Sequence, residues 1–137
     1  FPYTTLFRSP DSCVIHFGIL NTLRAWNFFE TPSKTTLFSN VGGFGIDGDV
    51  STLIGASFEH PEKLYFGFVG DLAFFYDMNS IGNRHVGKNI RLMVINNGKG
   101  TEFRNYSHPA SVLGDAADDF IAAGGHYGNK SRFLLKH

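Results

Sequence analysis

Apolar residues along the middle of the chain fall into short continuous runs separated by stretches with helical spacing. Cys13-Val-Ile-His-Phe17 is a β-leaning run, and over 18–30 the apolar residues Ile19, Leu20, Leu23, Trp26 and Phe29 recur near the period of a helix. Thr35-Thr-Leu-Phe38 predicts a second strand, followed by the glycine-rich turn Gly42-Gly-Phe-Gly-Ile-Asp-Gly48. The spacing predicts a helix over 49–58, whose small residues Gly55, Ala56 and Ser57 would let it lie close to a sheet. Leu64-Tyr-Phe-Gly-Phe-Val69 is almost continuously apolar, the pattern of a strand buried on both faces. Gly70-Asp71 ends it, and 72–81 reads as a helix. Ile90-Arg-Leu-Met-Val-Ile95 predicts the next buried strand, closed by Asn96-Asn-Gly-Lys-Gly100, and a last helix is predicted over 115–123 before Gly124-Gly125. Strands alternating with helices at this spacing predict an α/β fold, a doubly wound, mostly parallel sheet with helices on both faces.

The 137 residues suit one domain, and 42% hydrophobic content against 18% charged is enough to build a core. Lys+Arg 12 balances Asp+Glu 12, and no basic run is interleaved with aromatics, which excludes a nucleic-acid surface. No apolar stretch approaches the ~20 residues of a membrane span. The single cysteine, Cys13, excludes an intramolecular disulfide and a multi-thiolate zinc site, and predicts an inert buried thiol in a reducing, cytoplasmic setting. Fifteen Phe imply a large aromatic core, and 16 Gly imply several tight turns or close approaches. Residues 1–9 resemble a translated sequencing adapter and are set apart from the domain expected over 10–137. The run Lys130-Ser-Arg-Phe-Leu-Leu-Lys-His137 carries no stop signal, so an internal piece of a longer chain, truncated at its C-terminus, is expected.

Ligands of open α/β sheets collect beyond the carboxyl ends of the strands. Three clusters are predicted there: the Gly43–Gly48 turn, Gly70-Asp71 and Asn96 to Gly100. If the strands before Asp71 and Asn97 are parallel neighbours, both side chains reach one edge. A carboxylate and an amide oxygen are hard ligands suited to Mg²⁺ or Ca²⁺, and nearby glycines admit backbone N–H groups to a pyrophosphate. A lone Gly-Asp after a strand is more often a turn or a helix N-cap, and Asn-Asn-Gly a turn. Their occurrence after consecutive predicted strands raises the odds of a metal–diphosphate site. A rival is Gly43-Phe-Gly-Ile-Asp-Gly48 itself, which matches the G-x-G-x-x-G of dinucleotide-binding domains, with Asp71 as the acidic residue that such a fold requires further on.

The pair Gly70-Asp71 and Asn96-Asn97 resembles the signature of thiamine-diphosphate enzymes. The stretch Ser39-Asn-Val-Gly-Gly-Phe-Gly-Ile-Asp-Gly-Asp-Val-Ser-Thr-Leu-Ile-Gly-Ala56 is similar to the same region of one branch, which includes the menaquinone-pathway synthase that adds a decarboxylated 2-oxoglutarate unit to isochorismate. The resemblance covers roughly 14–100. It implies the diphosphate-binding domain of the thiamine-diphosphate fold, with Asp71 and Asn97 binding Mg²⁺ and the Lys99 carbonyl as a third ligand. Gly70 and Leu72 would lie against the diphosphate, and Ile46 would prop the bent cofactor. Arg24 matches a substrate-binding arginine. Where the branch has Asn-Arg-Gly, this chain has Asn40-Val41-Gly42.

The function so implied is binding of thiamine diphosphate and Mg²⁺ in an enzyme, a transferase or lyase, that decarboxylates a 2-oxo acid and then transfers or protonates the carbanion. No catalytic residue is assignable here, because the family's activating glutamate belongs to a pyrimidine-binding domain of the same or a second subunit. The fragment alone is expected to be inactive, and the complete protein to be a homodimer or homotetramer. The alternatives are a dinucleotide-binding domain of a dehydrogenase, or a non-catalytic binding module. The histidines show no metal-ligand spacing; His85 and His108 lie in predicted loops within reach of a substrate. Glu102 reads as a solvated loop acid, and Phe74, Phe75 and Tyr76 as packing residues.

Overall fold

The computed structural model describes residues 10–104 and 107–117. These fall in two compact units that divide between Ile95 and Asn96.

In the first unit, four short runs of β-branched and aromatic residues form strands β1 (Val14–Phe17), β2 (Thr36–Phe38), β3 (Tyr65–Gly70) and β4 (Ile90–Ile95). Helices α1 (Asn21–Trp26), α2 (Asp49–Ser57) and α3 (Asp71–Asp77) connect them in turn, and α3 continues as a 3₁₀ turn over Met78–Gly82. The sheet is wholly parallel in the order β2-β1-β3-β4, with Val14 opposite both Thr36 and Tyr65, and Tyr65 opposite Ile90. This is the α/β doubly wound arrangement that the alternating pattern predicts.

Side-chain alternation along each strand divides the core in two. Ile15, Phe17 and Phe68 face α1, where Leu23 and Trp26 pack on them. Trp26 sits 5.1 Å from the Phe17 ring and 4.7 Å from that of Phe68. On the other face Val14, Tyr65 and Val69 meet α2 and α3 through Val50, Leu53, Ile54 and Phe74. Helices therefore cover both faces, and β3 is buried on both.

Two expectations need correction. The helix expected over 18–30 is confined to Asn21–Trp26. Its lead-in passes through Leu20 at φ 68, a conformation that branched and bulky residues resist, and no side chain caps its N-terminus. β4 is also not buried on both faces. Ile90, Leu92 and Val94 pack beneath the α2 side, but Met93 and Ile95 point to the α1 side, where α1 packs on β1 and β3, and are 53% and 44% exposed.

In the second unit, Asn96 and Asn97 begin a loop, a 3₁₀ turn spans Glu102–Arg104, and a longer one spans Pro109–Ala116. Of the helix expected over 115–123, residues 118–123 lie outside the described residues.

Candidate functional site

All four strands run the same way, so their carboxyl ends share one edge. The chain leaves β1 toward the α1 face and leaves β3 toward the opposite face. A crevice therefore opens between the carboxyl ends of these two neighbours, the place where open α/β sheets bind ligands. Gly18 flanks it on one side and Gly70-Asp71 on the other.

Asp71 is the first residue of α3 and is only 3% exposed. Its Oδ1 accepts a hydrogen bond from the Leu72 amide at 2.9 Å. Gly70 is extended (φ −70, ψ 156), and a Cβ there would meet no atom within 4 Å, so the space on its side-chain side is open. Gly18 is different. Its amide donates to the Phe68 carbonyl at 2.7 Å, and a Cβ would come within 3.1 Å of Asp49 Oδ2 and 3.2 Å of the Phe68 carbonyl. The absence of a side chain at residue 18 thus lets Asp49 and the end of β3 pack closely against β1.

Ile46 lies half-buried in the loop that follows β2. That loop is tied at its two ends: Asn40 Nδ2 donates to the Gly48 carbonyl and to Thr52 Oγ1, both at 3.0 Å, and the Phe44 amide donates to the Asn40 carbonyl. Arg24 sits on the exposed side of α1, donating to Asn21 Oδ1 at 3.1 Å. β3 and β4 are parallel neighbours with Gly70 opposite Ile95, as the metal–diphosphate reading requires of the strands that precede Asp71 and Asn97. Asn97 and Lys99 belong to the second unit. There Asn96 Oδ1 accepts from the Gly98 amide at 3.0 Å, Asn97 Oδ1 lies 3.5 Å from the Lys99 amide, and Gly98 has a φ of +85 that glycine tolerates best. His108, expected near a substrate, is engaged in its own unit: its Nδ1 accepts from the Ala110 amide at 3.1 Å and caps the 3₁₀ turn. His85 Nε2 accepts from Arg84 Nε at 3.2 Å.

The dinucleotide alternative is not favoured by the topology. Its fingerprint belongs in the first strand-to-helix turn, with the acidic residue on the adjacent strand. Here the glycine-rich turn follows β2, while Asp71 follows β3, and β1 lies between those strands.

Sequence reasoning missed a buried polar pair behind this edge. His16 and Asp49 are both 0% exposed, with Nε2 and Oδ1 3.7 Å apart. Neither side chain has a hydrogen-bond partner among the described residues. Burial lowers the His16 pKa to about 4. Burial also raises that of Asp49 to about 6, with the Asp77 and Asp47 charges adding to the effect. The Ile19 N–H pulls the other way without reaching hydrogen-bond geometry. The available signal was a single polar residue inside the run Val14-Ile-His-Phe17. A groove of about 370 Å³ also opens between α1 and β2, lined by Phe17, Trp26, Phe29, Leu37, Phe38 and Val41 among others, and it includes none of the expected site residues.

No family model matches the chain. It is similar to proteins named 2-succinyl-5-enolpyruvyl-6-hydroxy-3-cyclohexene-1-carboxylate synthase from several bacteria. Identity to that of Bacteroides fragilis is 35% over 114 residues, 83% of this chain and 20% of the relative. For Bacteroides thetaiotaomicron it is 38% over 114 residues, with the same shares. For Christiangramia forsetii it is 40% over 97 residues, 71% of this chain and 17% of the relative. The chain spans about a fifth of the length of these relatives. Over most of its own length it is a homologue of one segment of these synthases, the branch of thiamine-diphosphate enzymes that its motifs resemble.

Proposed function

We propose that the chain is the diphosphate-binding part of an enzyme that uses thiamine diphosphate and Mg²⁺ to decarboxylate a 2-oxo acid and hand the resulting carbanion to an acceptor or a proton. The observation that carries this reading is Asp71, a nearly fully buried carboxylate at the crevice between β1 and β3. A carboxylate oxygen is a hard ligand, suited to a dication that also takes phosphate oxygens. The open space at Gly70 fits a diphosphate, since backbone can approach phosphate oxygens there without a side chain intervening.

In this reading Asp71 holds the metal, and the peptide groups of Gly70 and Leu72 lie against the diphosphate. Ile46 presents an apolar prop from its loop. Asn97 and the Lys99 carbonyl are proposed as further metal ligands on the family resemblance alone. The cofactor supplies an electron sink for the carbanion, and the protein supplies orientation and electrostatics. The activating glutamate and the pyrimidine-binding domain belong to the rest of the protein or to a second subunit, in a cytoplasmic homo-oligomer. Arg24 is proposed to meet the substrate. Val41 is 53% exposed where the branch that the chain resembles carries an arginine that helps hold the acidic substrate, which argues against isochorismate as the acceptor.

Calorimetry on the complete protein tests the reading. Thiamine diphosphate is expected to bind only with Mg²⁺ present, and Asp71→Ala is expected to abolish that binding. Equal affinity in the variant would remove Asp71 from the metal site, and tight NADH binding without Mg²⁺ would point instead to a dehydrogenase.

A further inference from the structure

One buried imidazole touches both flanks of the loop that carries Ile46. Phe38, the last residue of β2, enters the loop, and its ring stacks on His16 with centroids 4.4 Å apart and planes 30° from parallel. Asp49, the first residue of α2, follows the loop directly, and its carboxylate lies 3.7 Å from His16 Nε2. Both members of the pair are fully buried without hydrogen bonds among the described residues, an arrangement that an apolar pair of similar volume would make cheaper to bury. Stability therefore does not explain it. What the pair does specify is register: an apolar residue at 16 would pack on Phe38 but would remove the imidazole edge that faces Asp49 at 3.7 Å.

We infer that His16 is a positioning residue, whose ring and Nε2 edge hold Phe38 and Asp49 together so that the 39–48 loop presents Ile46 at the carboxyl edge of the sheet. Asn40 closes the same loop from outside through Gly48 and Thr52, so the loop is clasped at its base by one buried and one half-buried side chain. Gly18 completes the device by leaving room for Asp49 Oδ2. The consequence for cofactor binding rests on the thiamine-diphosphate reading above; the consequence for the loop does not.

Hydrogen exchange by mass spectrometry on the complete protein separates the two. In His16→Leu, amides of 40–48 are expected to exchange roughly tenfold faster, a typical size for coupling between sites, while those of β3 keep their wild-type protection. The dissociation constant for thiamine diphosphate with Mg²⁺ is expected to rise by a similar factor. If His16→Leu does not fold, Asp49→Asn preserves shape, removes the carboxylate and carries the same readouts. Exchange unchanged over 40–48, or raised equally over 40–48 and β3, overturns the positioning role and leaves a purely structural pair. If the wild type does not bind thiamine diphosphate, the cofactor reading falls, and the exchange pattern still tests the clasp.

Discussion

Gly67 and Gly55 show how far a residue's neighbours, rather than its type, set its role. The small residues of α2 suggest a helix that lies close to the sheet, yet Gly55 is exposed and a Cβ there would meet nothing within 4 Å. The close approach is made from the strand side. A Cβ on Gly67 would come within 2.5 Å of Leu53 Cδ2 and 2.8 Å of Leu92 Cδ1. Gly67→Ala is expected to destabilise by about 1–3 kcal/mol through overpacking. Gly55→Ala is expected to stabilise by about 0.5–1 kcal/mol, since it replaces glycine inside an exposed helix turn. Urea denaturation of the two variants checks both, and equal shifts would show that α2 and β3 do not pack in this way. Which glycine matters was hidden in the sequence because both lie in apolar, regularly spaced segments.

Elements respond to pH through the His16–Asp49 contact that joins β1 to α2. In the unfolded chain His16 titrates near 6.5 and Asp49 near 3.8; in the fold they titrate near 4 and 6. The lowered histidine costs stability as pH falls below 6.5, because the unfolded state takes up that proton first. The raised aspartate costs stability above pH 6, and the cost is relieved as pH falls, because the folded state takes up that proton first. Between about pH 4 and 6 each state carries one proton on the pair, so the two slopes cancel. The pair's contribution to stability is thus expected to be nearly flat across that window. Removing one partner exposes the other: between pH 6 and 5, Asp49→Asn should lose stability and His16→Gln should gain it. The limiting slope is about 1.4 kcal/mol per pH unit. Urea midpoints at pH 6 and 5, each taken relative to wild type, check this; parallel changes in the two variants would show that the groups do not titrate as a pair. The strand itself was legible from Val14-Ile-His-Phe17, whereas the partner of its histidine, 33 positions on, was not.

At the scale of the whole molecule, the chain spans about a fifth of its relatives, and the first unit carries large apolar side chains on its surface. Phe28 is 85% exposed, Phe44 64% and Met93 53%. Surfaces of this kind are commonly covered in a larger protein or cause association when left bare. The chain expressed alone is expected to self-associate with rising concentration, and light scattering coupled to size exclusion measures it. A monomer at all concentrations would show that these side chains are tolerated singly. No helix among the described residues is long and apolar enough to cross a membrane.

The order and type of the elements, and the family likeness, follow from local chemistry: apolar runs, helical spacing and the blocks Gly-Asp and Asn-Asn are properties of contiguous residues. Strand order is not local. That β1 lies between β2 and β3 arises from how the crossovers pack on opposite faces, and it moves the crevice to Gly18 and Asp71 and away from the dinucleotide reading of the glycine-rich turn. The same packing takes His16 from one strand and Asp49 from a helix and buries them together. No spacing along the chain encodes such a contact, because it forms only when the sheet closes over both.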